Sequence, residues 1–255
     1  MGARLLRRWL SLPLKDILLI RERHNMVASL CEEEELREFL SGKISEIGDL
    51  ERIISRVAVG RILPRELVQL RRALKALEPL KERCEASGDP ALQRLAAQLD
   101  PCREARQRIE RELEEEPSAQ LSKGGVIASG VSGELDELRE IMHSGRDYLD
   151  RLQQRETERT GIPSLKVAFN NVFGYYIEVR NTHKDKVPGE WIRKQTLVSA
   201  ERYITEELKE YEEKILGAEE KMVALETELY TKLRTDLAGQ VRRLQQVAAA
   251  LAQLD

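Results

Sequence analysis

The chain has 255 residues, of which 34% are charged, 41% hydrophobic and only 4% aromatic, and its formal net charge is −3. This composition is typical of extended helical proteins, and the net charge excludes a globally basic nucleic-acid-binding protein, so any basic surface must be local. No apolar run approaches the roughly 20 residues that a membrane helix needs, and the basic, apolar start lacks the cleavage site of a signal peptide.

The sequence offers no pattern for catalysis or metal binding. Its three cysteines, Cys31, Cys84 and Cys102, are widely spaced and odd in number, which predicts free thiols in a reducing cytoplasm. Its three histidines, His24, His143 and His183, lie on different elements, and none has a nearby serine, cysteine or paired acid that would suggest a catalytic triad. The phosphate-loop pattern GxxxxGK[ST] is also missing. We therefore expect this chain to be no enzyme and to hold no cofactor and no metal.

The first half of the chain reads as helices with short connections. Leucines and isoleucines recur at helical spacing up to about residue 82, and Pro64 fits the first turn of one helix. The stretch ASGDP, residues 86–90, predicts a turn, and a further helix ends at ELEEEP, which Pro117 terminates. The glycine-rich stretch KGGVIASGVSG, residues 123–133, reads as a plain linker.

Two later segments carry heptad seams. Their members are spaced alternately three and four residues apart: Leu135, Leu138, Met142, Gly145, Leu149 and Leu152 in the first, and Leu208, Tyr211, Ile215, Ala218, Met222, Leu225 and Leu229 in the second. Such narrow apolar stripes suit one facing helix. The pattern predicts an outgoing and a returning helix, packed antiparallel, that form an arm of roughly 40 Å.

The segment between the seams, residues 165–203, has a different character. It holds six of the chain's eleven aromatics, and the stretch LKVAFNNVFGYYIEVR alternates like a β-hairpin with Asn-Asn and Gly in the turn. A third run, residues 195–203, extends the pattern. Because a two-stranded ribbon is marginally stable alone, we expect a small antiparallel sheet of three or four strands.

Charge suggests what this segment is for. Residues 161–204 contain seven cations against four acids, whereas residues 205–230 contain nine acids against three lysines. The basic segment, residues 161–204, would attract a phosphate backbone, and the acidic segment, residues 205–230, would repel it. The candidate DNA contacts are the cations and amide or hydroxyl side chains of this segment: Lys166, Asn170, Asn171, Arg193, Lys194, Gln195 and Thr196. On composition alone, a solvated face explains the cations about equally well.

Several stretches resemble the MutS family of DNA mismatch-repair ATPases. They are GARLLRRWLSLPL, DLERIISRVAVGRILPRELVQLRRAL, GGVIASGVSGELDELR, LKVAFNNVFGYYIEV and RKQTLVSAERYITEELKEYEEKILGAEEK, and together they cover essentially the whole chain. Lys123, where the family usually has Asp, and Glu116-Pro117, in place of a common Pro-Pro, are small departures. The mismatch-reading domain with its Phe-x-Glu signature, the connector domain and the Walker A ATPase have no counterpart here, so the resemblance implies an excised core, lever and clamp region.

The resemblance sets the remaining expectations. The fold class is mainly α: a helical core with a long, antiparallel, coiled-coil-like lever pair that carries a small antiparallel β clamp at its tip. The implied domains are core and lever at 1–145, a clamp at 146–205 with its sheet at about 162–204, and returning lever and core at 206–255. The lever would couple nucleotide state at the ATPase to the clamp.

The resemblance also implies partners. They are the backbone of double-stranded DNA, a second copy of the full-length protein and a MutL-type protein, in the bacterial cytoplasm at the nucleoid and without a membrane. ATP and Mg²⁺ would belong to the full-length protein only. The alternative reading is a coiled-coil protein-interaction arm with no DNA binding of its own.

Overall fold

The computed structural model describes residues 1–170, 172 and 174–255, apart from the side chain of residue 146. The α-helices in this part of the chain are α1 (Gly2–Ser11), α2 (Ile17–Glu32), α3 (Glu34–Ile47), α4 (Leu50–Ala58), α5 (Pro64–Glu85), α6 (Pro90–Gln98), α7 (Arg103–Glu112), α8 (Gly133–Thr160), α9 (Glu206–Ala238) and α10 (Val241–Leu254). The strands are β1 (Lys166–Asn170), β2 (Gly174–Arg180), β3 (Ile192–Thr196) and β4 (Ala200–Ile204). The predicted fold class, mainly α with a small antiparallel sheet, is confirmed.

The chain forms two compact units, the first made of residues 1–131 and 226–255 and the second of residues 132–225. In the first unit, α5 lies at the centre of the core, where Leu67, Leu74 and Leu80 are fully buried. Pro64 begins α5, as the sequence predicts, because the first turn of a helix needs no N–H from it. Asp49 and Asp89 cap α4 and α6 by accepting backbone N–H groups.

In the second unit, α8 packs against the first part of α9 as an antiparallel pair. Gly145 lies against Ile215, Tyr148 stacks on Tyr211, and Arg155 binds Glu207, so the residue numbers rise along one helix as they fall along the other. These contacts fall on or beside the predicted seams, and the antiparallel pairing is confirmed. The Ser132 hydroxyl caps α8, which ends at Gly161 in the left-handed region (φ 62°), a conformation that favours glycine.

The sheet between these helices has the strand order β1-β2-β4-β3, with neighbouring strands antiparallel. The run at residues 195–203 is divided between two strands, β3 and β4, so the sheet has four strands in the described part of the chain. Turns of 3₁₀ helix lie at Leu121–Lys123 and, between β2 and β3, at Asn181–Lys186. No described helix is both long enough and apolar enough to cross a membrane.

Candidate nucleic-acid interface

One face of the sheet packs on the helix pair. Ile177, Val179 and Tyr203 are buried there in a cluster with Leu152 of α8 and Leu208 of α9. Each fully buried aliphatic side chain of this kind stabilises the fold by about 1.5–3 kcal/mol. The sheet is therefore attached to both helices by an apolar core, and its opposite face and its edges remain for other contacts.

The opposite face carries a row of polar side chains that runs across all four strands. The register places Lys166, Glu178, Arg202 and Gln195 in line. Arg202 donates to Glu178 Oε2 at 3.0 Å and to Gln195 Oε1 at 3.0 Å, and its guanidinium carbon lies 4.2 Å from the centre of the Tyr176 ring. The carbonyl of Gln195 is thus engaged within the sheet, while Lys166 at the outer strand is exposed and makes no ion pair with a described residue.

A bulge in β3 separates the predicted contacts on that strand. Arg193 pairs with Tyr203, but Gln195 pairs with the adjacent Arg202, which leaves Lys194 as the extra residue. Arg193 and Gln195 therefore point to opposite faces although they are two residues apart, since an extra residue shifts the alternation by one. Lys194 and Thr196 are exposed.

Arg193 is not a free cation, because its Nη1 lies 3.4 Å from Glu201 Oε1. The Tyr203 hydroxyl donates to the other Glu201 oxygen. This hydrogen bond and the Arg193 charge hold the pKa of Glu201 below its usual range. Burial and the same bond raise the pKa of Tyr203 to about 12. At neutral pH Glu201 is thus ionised and offsets part of the Arg193 charge.

The predicted asparagine contacts lie elsewhere. Asn170 ends β1 opposite Gly174, and its Oδ1 accepts the backbone N–H of Val172 at 2.8 Å, so the side chain is used to shape the turn. Asn171 lies outside the described residues. This turn is next to α9, where the Glu212 carboxylate accepts the N–H of Tyr175 at 3.2 Å. Asn170 is therefore beside an acid and at the other end of the sheet from Thr196.

The end of the sheet formed by residues 180–186 and 197–199, here called the β3–β4 end, holds three cations absent from the predicted contacts, of which Lys186 donates to the Gly161 carbonyl at 3.3 Å. Arg180 and Lys184 are exposed and make no ion pair with a described residue. Asn181 fixes this end, because its backbone N–H and its Nδ2 donate to the carbonyls of Ser199 at 3.1 Å and Val198 at 3.0 Å. The positive charge of residues 180–186 is visible in the sequence. The sequence does not show that these residues contact the turn between β3 and β4.

Comparison with known proteins identifies the family. The family model described as MutS domain III matches residues 1–255. The chain belongs to the MutS domain III family. Across its full length it is 60% identical to the DNA mismatch repair protein MutS of Parabacteroides distasonis and 58% identical to that of Bacteroides fragilis. The corresponding protein of Flavobacterium psychrophilum is 52% identical to the chain over 255 residues.

This MutS domain III chain spans only 29% of the Parabacteroides relative and 30% of the Bacteroides fragilis relative. The sequence lacks a Walker A loop. Within the described ranges, no three histidine, cysteine or acidic side chains come together as a metal site.

Proposed function

We propose that this chain is the non-catalytic part of a DNA mismatch repair protein that holds duplex DNA by its backbone. The β-sheet is the clamp, and the pair formed by α8 and α9 is the lever that couples the clamp to an ATPase carried elsewhere in a longer protein. Supporting this role are the membership of the MutS domain III family and the names of its relatives. A stiff helix pair suits coupling because a small rotation at one end produces a large displacement at the other.

One observation carries the DNA-binding proposal: the charge distribution at the β3–β4 end. Arg180 and Lys184 of this end, and Lys194 of the adjoining strand β3, are exposed without an ion pair in the described part of the chain. By contrast, Glu178, Glu190 and Glu201 accept hydrogen bonds from neighbouring arginines. Asp185 is the exposed acid in this stretch, so the cations exceed the acids there. Unpaired cations are the groups that replace counterions on phosphates.

The predicted contact set is extended by this distribution. We retain Lys166, Arg193, Lys194, Gln195 and Thr196 as proposed contacts, with Asn171 a proposal from sequence alone, and add Arg180 and Lys184. Asn170 and Gln195 are weaker candidates than the free cations, because the side-chain carbonyl of each already accepts a hydrogen bond. Such side chains position a protein on DNA and carry no sequence information directly.

The remaining partners follow from the family and extend the proposal. A second copy of the longer protein would close around the duplex, and a MutL-type protein would respond to the bound state, in the bacterial cytoplasm at the nucleoid. ATP hydrolysis would belong to the longer protein and not to the residues of this chain.

The test is fluorescence anisotropy of this chain on matched and mismatched duplexes, from about 25 to about 200 mM salt. We expect equal affinity for both duplexes, and log K falling with log salt at a slope of roughly −3, as a few phosphate contacts require. An absence of binding at the lowest salt would reject the proposal for the chain alone. It would favour the alternative, a protein-interaction arm, which predicts a defined protein complex and little salt dependence toward DNA.

A further inference from the structure

Helix α9 carries a buried carboxylate whose partners are backbone groups of a distant loop. Glu226 is 0% exposed. Its Oε1 accepts the N–H of Gly125 at 3.2 Å, and its Oε2 accepts the N–H of Val126 at 3.1 Å. Burying a carboxylate is costly unless hydrogen bonds replace its hydration. Together these residues form what we call the Glu226 clasp.

The glycine-rich sequence makes the clasp possible. Gly124 and Gly125 both have positive φ, 67° and 72°, a conformation that favours glycine over residues with a side chain. Loops with such backbone conformations present successive N–H groups to one anion. Here the anion is a side chain of the same molecule, so the stretch that reads as a plain linker in the sequence is a carboxylate-binding loop.

The loop is itself held in place on its other side. The N–H of Glu114 donates to the carbonyl of Val126 at 3.0 Å, and the N–H of Ala128 donates to the carbonyl of Glu112 at 3.0 Å. An antiparallel bridge joins Leu113 to Ile127 between these bonds. The loop is therefore held by hydrogen bonds on two sides, by residues 112–114 on one side and by Glu226 on the other.

The position of the clasp along the chain suggests its role. The chain passes between its two compact units twice, at residues 131/132 and at residues 225/226 of α9. Glu226 is the first residue of α9 that belongs to the first unit, and Gly125-Val126 precede the other passage by a few residues. The clasp thus joins, inside one unit, the two segments through which the chain leaves and returns.

We propose that Glu226 is a positioning residue that makes these two segments respond together, so that a change in the second unit reaches the loop at residues 121–131. This inference rests on the proposed coupling role of the helix pair. Without the carboxylate, α9 and the loop would respond independently, and the coupling between the units would fall.

Hydrogen–deuterium exchange of the loop in the full chain tests this inference. The variants are Glu226→Gln and, as a matched control, Glu228→Gln, which changes an exposed carboxylate of the same helix. Glutamine keeps one oxygen that can accept a backbone N–H, but its NH₂ group is a donor and faces the second backbone N–H, which is also a donor. One of the two hydrogen bonds is therefore lost. We expect Glu226→Gln to raise exchange at residues 125 and 126 by roughly tenfold to a hundredfold, and Glu228→Gln to leave it unchanged.

Coupling is measured separately from loop order by perturbing the second unit. Two perturbations of the second unit are used: binding of a duplex oligonucleotide and, independently of DNA, the substitution Gly145→Val in the helix pair. Each is expected to alter the hydrogen–deuterium exchange of the loop when residue 226 is Glu. Neither is expected to alter it when residue 226 is Gln. An unchanged loop in Gly145→Val, or an equal response with and without Glu226, would overturn the inference. Failure to bind DNA while the response to Gly145→Val persists would reject the DNA-binding proposal and leave the clasp standing.

Discussion

Tyr148 of α8 and Tyr211 of α9 stack face to face, with ring centroids 3.7 Å apart and planes inclined by 14°. The Tyr148 hydroxyl also donates to Glu207, one turn earlier on α9. The pair fixes the register of the two helices, because sliding one helix by a turn would break both contacts at once. Offset-stacked and edge-to-face aromatic pairs contribute about 0.5–1.5 kcal/mol beyond the area that they bury, and a face-to-face pair contributes less because the faces of both rings are negative.

The stacking gives the first prediction. We expect Tyr148→Leu and Tyr211→Leu to show a coupling energy of about 0.5 kcal/mol in a double-mutant cycle measured by urea unfolding. Tyr148→Phe keeps the ring and should lose only the bond to Glu207, about 1 kcal/mol or less. Strictly additive effects of the two leucine substitutions would show that the stack contributes nothing to stability.

The second prediction concerns Gly145, where the helices approach most closely among the described glycines of the pair. A Cβ there would lie 3.0 Å from Ile215 Cγ1. Gly145→Val should therefore lower the free energy of unfolding by about 1–3 kcal/mol, because the core has no room for the added atoms. The control is Gly217→Ala on α9, where a Cβ meets nothing within 4 Å.

That control should behave in the opposite way. Alanine at residue 217 removes the flexibility of a glycine inside a helix and should stabilise the chain by about 0.5–1 kcal/mol. Thermal unfolding followed by circular dichroism measures both variants. Equal effects of the two substitutions would mean that helix propensity, and not the contact with Ile215, governs this position.

The third prediction is a pH dependence centred on Glu207. Its hydrogen bonds from Arg155, at 2.6 Å, and from Tyr148 hold its pKa below the usual range. A lowered carboxylate pKa contributes stability that is fully present above the ordinary value of 4.5 and is lost as the pH falls through the lower value of the folded chain. The stability difference between the chain and Glu207→Gln should thus be constant above about pH 4.5 and shrink below it.

The size of this effect is limited by solvent. The side chains of Arg155 and Glu207 are 52% and 45% exposed, so screening reduces the contribution to about 1 kcal/mol or less. Urea unfolding at a series of pH values measures it. A difference that grows toward acid would assign the pH dependence to other groups.

The fourth prediction separates the cations of the β3–β4 end from the rest of the surface. Arg180→Gln with Lys184→Gln should weaken binding to matched and mismatched duplexes alike and reduce the salt slope by roughly 2. The control, Lys214→Gln with Lys221→Gln, removes the same charge from exposed positions of α9 and should leave the slope unchanged. Equal losses of duplex affinity in both double variants would mean that the net charge of the chain alone determines binding.

The helical part of the fold is readable from sequence because its signal is periodic. The spacing of Leu135 through Leu152 and of Leu208 through Leu225 already implies two facing helices, and the structure pairs them. The division of residues 195–203 into β3 and β4 is harder to read. The intervening turn, Leu197–Ser199, contains none of the glycine, proline or asparagine residues that mark turns.

The candidate site is only partly readable, for two physical reasons. Alternation along β3 would place Arg193 and Gln195 on one face, but the bulge at Lys194 moves them to opposite faces, and a bulge leaves no mark in this sequence. In addition, the amino-acid composition does not show which cations are paired with acids and which are free to contact DNA. Arg193 and Arg202 are paired with glutamates, whereas Arg180 and Lys184 are not, and only the folded chain distinguishes them.

In the sheet, the strand that follows α8 and the strand that leads into α9 are separated by a single strand, β2. Two strand spacings amount to roughly 10 Å, which matches the distance between the axes of two packed helices. The sheet therefore spans the ends of the two helices at their ordinary separation, and its core includes Leu152 and Leu208, the seam members nearest to it. A helical hairpin that carries such a sheet thus needs no change in the distance between its helices, but it needs apolar residues at the two seam positions beneath the sheet.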